Sequence, residues 1–333
     1  MPAPAQQAAC NRACLLDKTR SYIAALVAHD PSQAPLADNV VFVENVTRMQ
    51  PGEGLWQSIA SAPGTFELYV PDEINKSVGW LGMMTYMAPP VAPQGMSPEE
   101  RLEWSLAQVP TEQPVIVAFR LKFDDEGNIS EAEHLLSGVR EAQLVNLQTM
   151  RPGLMTDVPP ENRMDHAELI AIGASYYDAL DDNDGSLTPF AADCERHENG
   201  MITATATATP RDANAPAIPG TTPTPPRARD CAGQLDTGTF QYIDRIENRR
   251  VFAADPQTGL VMGLSHFRHP MDNFPYTVTN LDGTTSEVTA ADFSFAPFDL
   301  PAAHIFKVGA DGLVHEIEAM GFQAPLNSPT GWE

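Results

Sequence analysis

The sequence predicts an α+β protein built twice from one pattern, with helices first and a run of antiparallel strands after. Three observations carry this reading: an internal repeat, a switch in each copy from a helical to an alternating apolar period, and a proline-rich break between the copies. At 333 residues the chain is long enough for two domains of ordinary size.

The repeat is the strongest of the three. Tyr22 and Asp30 recur as Tyr176 and Asp184, and Glu44-Asn45 recurs as Glu198-Asn199, all at an offset of 154. Further on, Gly64-Thr65-Phe66 matches Gly238-Thr239-Phe240, and Gly82 through Pro89 matches Gly263 through Pro270. Lys122 through Glu133 then matches Lys307 through Glu318. Five blocks in one order and at similar separations mark a duplication.

Each copy reads alike. Leu15, Tyr22, Ile23, Leu26 and Val27, and again Leu169, Ile172, Tyr176 and Leu180, follow the period of a helix with one apolar face. A short helix or turn over 31–36 or 186–190 leads to a strand at 40–43 or 194–198. Further strands are predicted at 65–70, 78–88 and 114–123, and at 239–251, 259–269 and 303–308. Turns at Gly127 and Gly312 lead into a last strand, 128–136 or 313–321. A sheet of this order curls around its helices and encloses an apolar pocket open at one end. The domains are then 10–150 and 164–333, joined by a linker at 151–163 whose prolines continue neither helix nor strand. Long stretches at 89–113, 201–230 and 271–302 interrupt the repeats. The middle one, rich in Pro, Thr and Ala, reads as a lid or a surface loop.

Composition narrows the function. A hydrophobic content of 43% supports packed cores, and a net charge of −24 disfavours nucleic acid and anionic membranes as partners. No stretch reaches the roughly 20 apolar residues of a bilayer span. The first ten residues have neither a basic start nor an apolar middle, so they do not read as a secretory leader and equally suit the start of a mature chain. Cys194 and Cys231 flank the proline-rich stretch, where a disulfide removes much chain entropy. Cys10 and Cys14 stand one helical turn apart, and a bridge there constrains little. An even count in this layout points to an oxidising compartment, periplasmic or secreted.

The block Tyr22-Ile-Ala-Ala-Leu26 with Asp30, then Ala37-Asp38, a strand and a terminal acid, resembles the opening of ketosteroid isomerases and related NTF2-like (SnoaL-like) enzymes. Lys122 through Ile129 resembles the turn into that superfamily's last strand. Cys10 through Cys14, Gly52 through Trp56, Cys194 through Gly200 and Ile246 through Arg250 are similar, more narrowly, to a fungal and bacterial family of unknown function, DUF8021. The first resemblance implies tandem cone-shaped domains, each with N-terminal helices packed on a strongly curved sheet. The second implies no activity.

In the isomerases an acid ending the first strand shuttles a proton at carbon; the matching positions are Glu44 and Glu198. Their first-helix tyrosine, an oxyanion donor, corresponds to Tyr22 and Tyr176, and the second donor to Phe119 and His304. Only the second copy keeps a polar group at all three positions, which makes Glu198, Tyr176 and His304 the catalytic candidates. A carboxyl in an apolar cone gains the pKa of a general base, and a Tyr or His donor stabilises a developing enolate. His266, Arg268, His269, Asn199, Glu44 and Tyr22 are candidates for substrate binding. Strand alternation puts His266 and Arg268 on one face and His269 on the other.

No cofactor is required by this chemistry, and no glycine-rich phosphate loop is present. His197, His266, His269, His304 and His315 lack a spacing that sets two ligands on one face, so no metal is expected. The expected function is a cofactor-independent lyase or isomerase acting on a small, largely apolar molecule by dehydration, double-bond migration or retro-aldol cleavage. The rival class is a non-catalytic ligand-binding or interaction protein. A homodimer through the outer face of a sheet is the expected assembly.

Overall fold

A computed structural model describes residues 10–93, 98–206, 230–280, 282–293 and 295–333. The first half runs α1 (Arg12–Val27), β1 (Leu36–Glu44), β2 (Thr47–Met49), α2 (Leu55–Ser58), β3 (Ile59–Ser61), β4 (Glu67–Asp72), β5 (Ser77–Ala88), α3 (Pro98–Ala107), β6 (Thr111–Phe123), β7 (Ile129–Gly138) and α4 (Glu141–Leu144). The second runs α5 (His166–Asp181), β8 (Phe190–Glu198), β9 (Met201–Ala204), α6 (Cys231–Asp236), β10 (Arg245–Asp255), β11 (Leu260–His269), β12 (Tyr276–Thr279), β13 (Thr285–Val288), β14 (Phe298–Val308), β15 (Val314–Gly321) and β16 (Ala324–Pro325).

The halves are built by the same local rules. Asn11 caps α1, accepting from the Cys14 amide at 3.1 Å, and Asp165 opens α5 with a capping box to Glu168. Both helices end at a left-handed residue, His29 or Asn183. In the turn that follows, Asp30 or Asp184 accepts from the amide of Ser32 or Ser186. These pairs all keep the offset of 154 read from the sequence.

Two seven-stranded sheets follow. Their shared path is β2-β1-β7-β6-β5 in one and β9-β8-β15-β14-β11 in the other. The sheets are mixed, whereas antiparallel strands alone were expected: β1 runs parallel to β7 and β8 parallel to β15. The reason is topological, since the first and last long strands of each half become neighbours after an even number of reversals. The segment 239–244 is turn, and β10 begins at Arg245. The stretch at 89–113 carries α3, and that at 271–302 carries the β12–β13 hairpin. Residues 207–229, most of the expected lid or loop, lie outside the described residues.

Alternation along the strands explains the packing. On β6, Val115, Val117, Phe119 and Leu121 face α1, while Ile116 and Ala118 face away. On β14, Ala302, Phe306 and Val308 face α5, while Ala303 and Ile305 face away. The outward sets meet: Phe66, Leu68, Leu81, Ile116 and Leu135 share one core with Phe252, Met262, Leu264, Ile305 and Met320. The faces from which a homodimer was expected are thus buried on each other within one chain. Approach is close at Gly79, where a Cβ would lie 2.4 Å from the Met262 sulfur.

Polar side-chain pairs frame this contact with pseudo-twofold symmetry. Arg12, first in α1, holds Asp255 of the other half at 2.8 Å, and His166, first in α5, holds Asp72 at 2.7 Å. Arg250 grips Glu133 through both oxygens, at 2.7 and 2.8 Å. Arg12 keeps 30% of its side chain exposed while Asp255 keeps 3%, so solvent screens the pair from the arginine side. A double-mutant cycle of Arg12→Ala with Asp255→Asn is expected to give a coupling of about 1 kcal/mol. A coupling of several kcal/mol would show that the pair, and not the apolar core, holds the halves together.

The predicted disulfide Cys194–Cys231 joins β8 to α6, and Cys10 and Cys14 are also bridged, at the start of α1. Among the described residues no helix is long and apolar enough to cross a membrane. Two disulfides suit an extracellular or periplasmic setting.

Candidate functional site

The strand-end acid of each half lies beside a helix tyrosine and a neighbouring strand, and the halves use this arrangement differently. In the first half, Tyr22 Oη meets His134 Nε2 at 2.8 Å, and His134 Nδ1 meets Glu44 at 3.2 Å. Burial, reinforced by Glu44, pushes the Tyr22 pKa up, so the phenol stays protonated. The chain therefore runs from Tyr22 O–H to Nε2 and from Nδ1–H to Glu44, a tautomer assigned from the bonding. Glu44 also accepts from the Leu55 amide at 3.0 Å. Around this relay pack Phe42 and Phe119, with ring centroids 4.8 and 4.3 Å from His134, and Trp56, 5.4 Å from Tyr22.

In the second half the bridge comes from another strand. Arg196, two residues before Glu198 on β8, donates from Nε to Tyr176 Oη at 2.9 Å and from Nη2 to Glu198 at 2.6 Å. It also donates to Thr203 at 2.7 Å. Burial works against its charge, but Tyr176 and Glu198 outweigh that and hold the guanidinium above its ordinary pKa. The strand partner of Glu44 is His134, whereas that of Glu198 is Ala319. Phe119 is replaced by His304.

Strand pairing also corrects the alignment of the copies. Phe119 lies opposite Trp80, and His304 lies opposite Gly263. Gly263 therefore corresponds to Trp80 and not to Gly82. A slip of two residues preserves the face, so the apolar pattern hides it. In the first half Trp80 stacks on Phe119 with centroids 4.7 Å apart. In the second, Tyr177 takes that side, and its hydroxyl would lie 2.6 Å from any Cβ on Gly263.

These exchanges leave a pocket of about 50 Å³ in the second half. A water needs roughly 10–15 Å³ on the same measure, so the enclosed part takes a few non-hydrogen atoms. Arg196, Glu198, His269, His304, Ala302 and Ala319 line it, with Phe240, Tyr242, Phe267, Leu180 and Leu300 as apolar wall. Burial and then Arg196 push His304 well below the usual imidazole range, and burial pushes His269 down to about 4. Both are neutral near pH 7. The site thus offers one carboxylate, one paired guanidinium and two neutral imidazoles among rings.

The predicted residues divide accordingly. Glu198, His304 and His269 line the pocket, and Tyr176 lies behind it, turned to Arg196. Glu198 is ion-paired and one-quarter exposed, unlike the isolated carboxyl expected. Tyr22 and Glu44 are sealed in the first core. His266 and Arg268 lie on the opposite face: His266 bonds Ser328 at 3.0 Å, and Arg268 bonds Glu247, Asp299 and the Ser328 carbonyl. They fasten the C-terminal segment and do not reach the pocket. Asn199 is structural too, clamping β8 to Gly321 through both amide atoms at 2.9 and 3.1 Å, as Asn45 clamps Leu136. Arg196 was missed, although a basic residue two positions before Glu198 shares its face by alternation. Among the described residues no group of three His, Cys, Asp or Glu side chains is placed to hold a metal.

Residues 162–321, which include every described lining residue of this pocket, match the family model described as a domain of unknown function, DUF8021. No curated protein matches the chain.

Proposed function

We propose that this chain, whose second half is a DUF8021 domain, is a cofactor-independent lyase or isomerase on two tandem NTF2-like cones, the second of them working. The observation that carries the reading is the meeting of Glu198 and His304 in one small pocket with apolar walls, while the equivalent acid of the first half is sealed. Glu198 takes a proton from carbon in a small, largely apolar organic molecule. Neutral His304 donates a hydrogen bond to the developing enolate, a role that needs no proton transfer. Arg196 adds positive potential beside the same oxygen, and Tyr176 positions Arg196 through its hydroxyl. Dehydration, double-bond migration and retro-aldol cleavage all use these parts.

One observation favours a second reading, a pocket that binds a ligand without turning it over: Glu198 is already held by Arg196 at 2.6 Å. Proton exchange separates the two. With a panel of cyclic enones and β-hydroxy ketones in D₂O, the protein is expected to catalyse C–H exchange seen by NMR. Glu198→Gln is expected to lose a factor of ~10²–10⁴, and Glu44→Gln to behave as the parent. Exchange that survives Glu198→Gln removes the catalytic reading.

A further inference from the structure

The first half packs its own side chains into the interior that the second half leaves open. Two planar rings do it: the His134 imidazole, held between Tyr22 and Glu44, and the Trp56 indole, edge-on to Tyr22. In the second half the position of His134 is Ala319, and that alanine lines the pocket beside Glu198. Glu198, Arg196, His304, Phe267 and His269 line the same space as Ala319. Flat groups of this kind stack on flat ligands. His269 is itself stacked on Phe298 at 4.2 Å with its Nδ1 buried and unpartnered. The pocket's charges balance, since Arg196 and Glu198 pair and both imidazoles are neutral.

We infer that the ligand of the second half is an uncharged planar ring that turns an acidic ring hydrogen, C–H in a substrate or N–H in an imidazole probe, towards Glu198, a free counterpart of the rings that fill the first half. The inference rests on reading the second half as the working pocket, and it adds ligand shape, charge and the direction of that hydrogen. A carboxylate ligand is disfavoured because it would face Glu198. A saturated ring is disfavoured because it matches neither the guanidinium plane nor the aromatic wall. The enclosed volume of about 50 Å³ suits a single five-membered ring, and a second ring would lie outside it.

The probes are the two side-chain analogues themselves, imidazole at pH 8 and indole, with cyclohexanol and benzoate as controls. Binding to the full chain is followed by protein NMR and by crystal soaks. Imidazole and indole are expected to bind with dissociation constants on the order of millimolar, and the controls at least tenfold more weakly. Glu198→Gln should weaken imidazole roughly tenfold or more, because a hydrogen bond to a charged acceptor is lost. Ala319→His combined with Arg196→Phe transplants the first half's packing and should abolish binding, circular dichroism confirming that the variant is folded. Cyclohexanol binding as well as imidazole, or imidazole binding unchanged in both variants, overturns the inference. Carbon–hydrogen exchange that persists while no ring binds overturns it and leaves the proposed reaction standing.

Discussion

His134→Ala is expected to cost the fold about 3–5 kcal/mol, the range of a large buried truncation that also orphans polar partners. His134 has no exposed surface and uses both ring nitrogens. Its loss strips Tyr22 Oη of a partner at 2.8 Å and leaves a hole bounded by Phe42, Phe119 and Glu44. Urea unfolding of the purified variant measures the effect. Added imidazole tests its origin, because a vacated ring site binds the ring. At one hundred times its dissociation constant imidazole returns about 2.7 kcal/mol, over and above its effect on the parent protein. A loss below 1 kcal/mol would show that the relay of the first half is incidental to stability. At the matching position of the second half the chain already carries alanine, and there Arg196 bridges Tyr176 and Glu198 instead. One half completes its interior with its own side chains and the other leaves room.

Much of this contrast was legible in the sequence, and the missing parts share a cause. The repeat located Tyr22 against Tyr176 and Glu44 against Glu198 because these residues sit at fixed distances from helix and strand ends. The Cys194–Cys231 bridge followed from its place around a proline-rich stretch. What sequence could not supply was cross-strand partnership. That His134 faces Glu44 while Ala319 faces Glu198 depends on the parallel pairing of the first and last strands, which joins residues about 90 and 120 positions apart. Arg196 carries no such signal, because the resemblance assigns a role to Glu198 and none to the residue two before it. His266 and Arg268 were correctly set on the face opposite His269, but alternation alone does not say which face is the inner one. Here the other face meets the sheet of the first half and the C-terminal segment, where Asp299 and Ser328 hold both side chains.

The outer surface of β8 and β15 carries the other large expected effect. Arg151, at the start of the linker, reaches Glu316 at 3.1 Å, Glu318 at 3.3 Å and Glu195 at 3.6 Å, and donates to the carbonyls of Glu195 and Ile317. Three carboxylates thus share one guanidinium. Glu318 is the deepest at 1% exposure; burial pushes its pKa from 4.5 to about 7, with Arg151 opposing and Glu316 and Glu195 assisting. A carboxyl whose pKa is raised by folding favours the folded state fully below 4.5 and loses that contribution as pH climbs through 7. The span corresponds to about 3 kcal/mol as an upper figure. His269 and His304 act in the opposite sense, being held neutral in the fold, and lose stability as pH falls below 6.5. The pH profile of the parent protein therefore mixes the two, and a variant isolates one. Glu318→Gln carries no titrating group, so its stability relative to the parent is expected to rise by about 2–3 kcal/mol between pH 5 and pH 8. Paired urea titrations at the two pH values measure that difference. A constant difference at both pH values would mean that Glu318 stays ionised in the fold and that Arg151 alone compensates its burial.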